Sequence, residues 1–229
     1  MEKTNKSRYS RTKLIIFLIV SVTFLSVLAI PNNNNERVNL TASANDEEDK
    51  KTDYKISDIN SEQTAANKKR EEESKAAFQE AYRVFMHPRC LNCHPAGDIP
   101  FQGDASLLHT QGVKRGPDGK GLYAMKCKNC HQDTNLPGEN LPPGHPNWHL
   151  PPADRKMVFE GKSPRQLAMS FKDSKFTGFK TMKQFIEHVE HDSLVKHSFT
   201  YGTPPPLSHE EFVEKVKEWI AKGAAIPDK

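Results

Sequence analysis

Cysteine is scarce in this 229-residue chain: there are four, and none stands outside two short copies of one pattern. The apolar run near the N-terminus therefore has no cysteine beside it to carry a lipid, which excludes a lipoprotein. Strand patterning is also missing. No stretch alternates convincingly between apolar and polar residues, and no βαβ setting surrounds the cysteines, which argues against a thioredoxin-like redox pair. No repeat exists beyond the paired pattern itself. Net charge is lacking once the N-terminus is set aside. Residues 1–44 hold six of the 33 basic and two of the 29 acidic side chains, leaving 27 of each beyond them. That balance gives no reason to expect nucleic acid or an anionic membrane surface as a partner.

What is present is C-x-x-C-H, twice. Cys90, Cys93 and His94 lie in "MHPRCLNCHPAGD", and Cys127, Cys130 and His131 in "MKCKNCHQD". With ten histidines in 229 residues, a histidine follows a given cysteine pair by chance about once in 23 times, and twice over about once in 500. Two cysteines three apart, entering a helical turn, set both sulfurs on one side. They can then add across the two vinyl groups of a haem, while the following imidazole ligates the iron. The expected cofactors are two covalently bound haem c groups, with Cys90, Cys93, Cys127 and Cys130 as thioether sites and His94 and His131 as proximal ligands. A structural zinc site built from the four cysteines is the main rival. Its gap from Cys93 to Cys127 is longer than the usual ribbon spacing.

The N-terminus supports a haem reading. Lys3, Lys6, Arg8, Arg11 and Lys13 stand against one acid, Glu2, and precede Leu14–Ile30, 17 residues without a charge. Residues 1–30 are expected to be a secretion signal or, preferably, an uncleaved anchor with its positive flank inside. "TASA" at 41–44 offers a cleavage site, though at some distance from the apolar run. Either way, the remainder lies on the periplasmic side of the inner membrane, where c-type haem is attached. Residues 31–72 are polar and charged with hardly an aliphatic side chain, and are expected to form a disordered linker. "KKREEE" at 68–73 reads as a solvated helix start.

Residues 73–229 are expected to form one mainly α, compact dihaem cytochrome c-like domain. A helix is expected from Ser74 to Met86, with Ala77, Phe78, Ala81, Tyr82 and Phe85 on one face, ending before Pro88. A short helix should carry Leu122, Met125 and the second motif. Ser163 reads as an N-cap with Gln166 closing a capping box, and "SHEE" at 208–211 opens the last helix. Met182, Phe185, Ile186 and Val189 form one helical stripe; Phe212, Val216, Trp219 and Ile220 form another, stopped by Gly223. Proline-rich straps, "LPPGHPNWHLPPAD" and "TPPPLSH", separate the helices. Such straps suit a chain wrapped around porphyrins that supply much of its apolar interior. Only 32 residues separate His94 from Cys127, too few for two complete haem domains in tandem, so the two sites must share one fold and lie close together.

The distal ligands are less legible. His109, in "LLHTQG" between the motifs, and His149, in "NWHLPP" beside Trp148, are the preferred pair. His145 and His188 are alternatives, and Met125 is the sulfur alternative. His87 is too near Cys90 to reach an opposite face, and Met157 and Met182 read as core.

Several segments carry a family resemblance: "MHPRCLNCHPAGD", "RGPDGKG", "KCKNCHQDTNLPG", "PNWHLPP", "MVFEGKSP" and "LSHEEFVEKVKEWIAKGAAIP". Across residues 75–227 the chain resembles a family of exported bacterial dihaem c-type cytochromes often labelled as an isoquinoline 1-oxidoreductase subunit. That resemblance implies an electron carrier accompanying a molybdenum hydroxylase. No molybdopterin-binding or iron–sulfur signature occurs here, so such an activity would belong to the partner. The close motifs are also similar in spacing to the small dihaem subunit of periplasmic nitrate reductase, which has bis-histidine irons. The expected function is electron relay, possible donors including a molybdenum hydroxylase. The alternative is a haem enzyme of the peroxidase kind, or a haem-based sensor, with one open iron.

Overall fold

Helix α1, Asp46–Phe85, lies along the last helix, α7 (His209–Ala221), and their contact organises the protein. The computed structural model describes residues 46–138 and 140–229, which form one compact unit mainly of helix. The expected anchor and the linker up to residue 45 lie outside the described residues. Among the described residues, no helix is long and apolar enough to cross a membrane.

The helix expected from Ser74 is longer than the apolar pattern indicates: it starts at Asp46, inside the segment expected to be a linker. Residues 60–72 are exposed on every face, and Ala, Glu, Lys and Arg make up much of them, so propensity rather than burial sustains this part. Packing begins where the apolar pattern does. Ser74, Ala77, Phe78, Ala81, Val84 and Phe85 are buried, and Tyr82 donates its hydroxyl to the Lys162 carbonyl at 2.7 Å.

Three further helices complete the helical layer: α3 (Pro164–Phe171), α4 (Ser174–Thr177) and α5 (Met182–His191), with α6 (Ser193–His197) following. Ser163 and Gln166 form the expected capping box, and so do Ser208 and Glu211. The core is aromatic. Phe78 meets Trp219 at 4.7 Å between centroids, and Phe85 packs with Phe171 at 4.7 Å and Phe212 at 5.0 Å.

Between α1 and Phe159 the chain changes character. After the single turn α2 (Pro88–Leu91) come two hairpins of two-residue strands, β1–β2 (Phe101–Gln102 with Leu107–Leu108) and β3–β4 (Gly121–Leu122 with Met125–Lys126). The short helix expected to carry Leu122 and Met125 is thus a hairpin. Gly121 at φ 92° starts it, and helix is confined to a 3-10 turn at Cys127–Asn129. The straps cross closely at Gly119, whose φ is 75° and whose absent Cβ would fall 1.8 Å from the Leu150 carbonyl oxygen; Leu150 N donates to the Gly119 carbonyl at 2.9 Å.

Among the described residues from 86 to 158, the buried apolar side chains are Cys127, Leu150 and two prolines, Pro95 and Pro100. A stretch of that length with so little apolar interior cannot hold itself in place by side-chain burial alone. Arg115, fully buried, ties it internally: Nη1 donates to the Pro151 carbonyl at 2.7 Å and Nη2 to the Gly97 carbonyl at 3.3 Å.

Candidate functional site

Each C-x-x-C-H motif closes on one helical turn. At the first, Cys93 N donates to the Cys90 carbonyl at 3.1 Å and His94 N to the Leu91 carbonyl at 3.0 Å. At the second, Cys130 N and His131 N both donate to the Cys127 carbonyl, at 3.2 and 2.9 Å. His87 is used locally, its Nδ1 accepting from Arg89 N as the cap of α2.

The two motif histidines are held in the same way. His94 Nδ1 lies 2.8 Å from the Met157 carbonyl oxygen, and its ring stacks on Phe159 with centroids 3.9 Å apart and planes 3° apart. His131 Nδ1 lies 2.7 Å from the Pro143 carbonyl oxygen, and its ring stacks on Trp148 at 4.1 Å and 9°. A carbonyl oxygen only accepts, so each Nδ1 carries the proton and each Nε2 keeps its lone pair. Met157 reaches its position with φ 47°, an unusual conformation for a side-chain-bearing residue, and its carbonyl anchors the imidazole. Burial pushes the His94 pKa down to about 3 and also lowers that of His131, so both rings are neutral.

Three of the thiols are held neutral as well. Burial pushes Cys90 up to about 12 and Cys93 up to about 11, and raises Cys127; Cys130 is exposed. Cys127 adds a smaller contribution to the rise at Cys93. All four cysteines are free, and among the described residues no group of three or more Cys, His, Asp or Glu side chains is gathered to hold a metal ion. A four-cysteine zinc cage is therefore not preformed. A porphyrin iron asks less of the protein, because the macrocycle brings most of its ligands.

Cys90, Cys93 and His94 open onto a cavity of about 330 Å³, within the usual range for ligand sites. Phe85, Phe159, Phe185 and Phe212, at the edge of the aromatic core, form its apolar wall. Trp148 lines this cavity while its ring stacks on His131, so one side chain touches both motifs' surroundings. A larger, open groove of about 800 Å³ near Glu190, Phe199 and Glu214 contains no cysteine and neither motif histidine.

The expected distal residues separate. His149 lines the first cavity, with its Nδ1 2.5 Å from the Asn147 carbonyl oxygen. His188 lines it too, from α5, with Nδ1 3.6 Å from Asp192 Oδ2, and it is close enough to His94 for like-charge repulsion to be felt there. That contact helps hold the Asp192 carboxyl well below the usual carboxylate range. His109 stands in the same electrostatic relation to His131, and its Nδ1 is buried without a hydrogen-bond partner. His145 is buried with its ring 5.3 Å from His197, and its Nδ1 accepts from Asn147 N at 3.1 Å. Met125 is an exposed residue of β4. Sequence reasoning missed Phe159, the two anchoring carbonyls, Arg115 and Asp192. Only Phe159 left a signal, as an apolar residue in "MVFEGKSP".

Scanned against protein-family models, curated proteins and solved structures, the chain matches none.

Proposed function

We propose that this protein is an exported dihaem c-type cytochrome that relays single electrons between redox proteins. One observation carries the reading: His94 and His131, each one residue after a cysteine pair, are anchored through Nδ1 on a backbone carbonyl and stacked on an aromatic ring, leaving both Nε2 atoms free. That is how ligating histidines are oriented, the outer hydrogen bond fixing tautomer and ring plane. Cys90 and Cys93 would hold one haem by thioether bonds, and Cys127 and Cys130 the other. Bound there, the iron supplies a one-electron Fe(III)/Fe(II) couple.

The straps support the same reading. They bury almost no apolar side chain of their own, while Leu107, Leu108, Tyr123, Met125, Leu136 and Leu141 remain exposed in the stretch around the second motif. Apolar side chains concentrated in this way call for a partner surface. A porphyrin beside Cys127 and Cys130 would provide one. Trp148 lines the first cavity and stacks on His131, which would give the two haems a shared aromatic neighbour and suits electron passage from one to the other. The family resemblance suggests a molybdenum hydroxylase as donor, with delivery to the respiratory chain. The N-terminal segment would keep the domain at the periplasmic face of the inner membrane.

The spin state of the irons tests relay against catalysis. The relay reading expects two low-spin, six-coordinate centres in the absorption and electron paramagnetic resonance spectra of the oxidised protein. A high-spin centre that binds cyanide or peroxide in the unmodified protein would replace relay with ligand chemistry.

A further inference from the structure

The first cavity holds two spare histidines, His149 and His188, and they are supported differently. His149 sits on a strap between Trp148 and Leu150, and its Nδ1 bonds two residues back to Asn147. His188 sits in the middle of α5, between Phe185 and Val189, both of which are buried in the core. Its position is therefore fixed by a packed helix. His188 also lines the same cavity as Cys90, Cys93 and His94.

Asp192 completes the arrangement, and its two oxygens divide the work. Oδ1 accepts from Leu194 N at 2.8 Å and from Val195 N at 3.1 Å, capping α6. Oδ2 faces His188 Nδ1 at 3.6 Å. The imidazole is thus turned by its Nδ1 toward a carboxylate, leaving Nε2 as the free nitrogen. A carboxylate behind a ligating imidazole raises the basicity of the ligand and fixes its orientation.

We infer that His188 is the sixth ligand of the haem attached at Cys90 and Cys93, and that Asp192 is a positioning residue that lowers the reduction potential of this haem. The inference rests on the haem reading. Asp192 acts by making His188 a stronger donor, which favours Fe(III) over Fe(II). His149 then closes the cavity without ligating. His109, the histidine between the two motifs, has no such carboxylate among the described residues: its Nδ1 is buried without a partner.

Asp192→Asn keeps the cap, since asparagine caps as well as aspartate, but removes the charge behind His188. With two haems confirmed by mass in each protein, Asp192→Asn should leave both centres low-spin and shift one Fe(III)/Fe(II) equilibrium about tenfold toward Fe(II), a rise of about 59 mV for a one-electron couple. The other potential should not move. His188→Ala should convert one haem to high-spin, restored to low-spin by added imidazole, while His149→Ala should leave both low-spin. Two low-spin haems in His188→Ala, or unchanged potentials in Asp192→Asn, would overturn the inference while leaving the dihaem reading intact. Absence of haem from the unmodified protein would overturn both, and is visible before any variant is made.

Discussion

Removing Asp104 should loosen the first site from behind. Arg89 directly precedes Cys90, is 7% exposed and lines the cavity. Its Nη2 pairs with Asp104, its Nη1 reaches the Tyr201 carbonyl at 3.4 Å, and its guanidinium lies 4.9 Å from the Tyr201 ring centroid. Its Nε is already without a partner, so little remains if Asp104 is lost. The same carboxylate accepts from Thr203 N at 3.1 Å and from Thr203 Oγ1 at 2.6 Å, joining the first hairpin to the strap before α7. Stranding a buried cation costs about 3–5 kcal/mol. Asp104 is itself 47% exposed, so water can partly replace it; a cost of about 2 kcal/mol is expected for Asp104→Ala. Urea unfolding followed by far-ultraviolet circular dichroism would measure it. The double variant Asp104→Ala/Arg89→Met should recover part of the loss, because no buried charge is left unpaired. A loss below about 0.5 kcal/mol in the single variant, or a double variant less stable than the single, would refute the reasoning.

Two further outcomes follow from the packing. Haem-free protein made in the cytoplasm should lose stability as pH falls from about 6.5 toward about 3, because His94 binds its proton more readily unfolded than folded. Its contribution is complete above the unfolded pKa, and thermal melts at pH 7.5 and 5 should differ less in a His94→Gln variant. Ser74→Ala should cost about 1–2 kcal/mol, since the buried hydroxyl donates to the Trp219 carbonyl at 2.8 Å and accepts from Ala225 N at 3.0 Å; the carbonyl keeps its bond from Ala224 N, but Ala225 N would be left unpaired, and melts of the two proteins would read it.

The sequence was most readable where local chemistry decides. The Ser163 and Ser208 caps, the stripes of α5 and α7, and the turn at each C-x-x-C-H depend on residues within four positions of each other. Helix α1 was misjudged at its start because its exposed part has no apolar period, only residues that favour helix. The β3–β4 hairpin was missed because strands of two residues carry no alternation. Arg115 as an internal tie and Met157 as the anchor of His94 follow from tertiary placement and from a positive φ at a non-glycine residue, which no short-range pattern announces. His188 appeared only as an alternative because its relation to His94 spans 94 positions of chain. His109 and His149, chosen from their loops, both lie near a motif histidine or its cavity, but a loop position does not reveal which imidazole is held rigidly enough to ligate.

Intact mass of the exported protein, denatured and extracted with acidified organic solvent, tests the central claim most directly. Two haem additions should survive on the polypeptide, and one should survive in the Cys127→Ala/Cys130→Ala variant. A polypeptide of bare mass that carries zinc bound in place of haem would contradict the account.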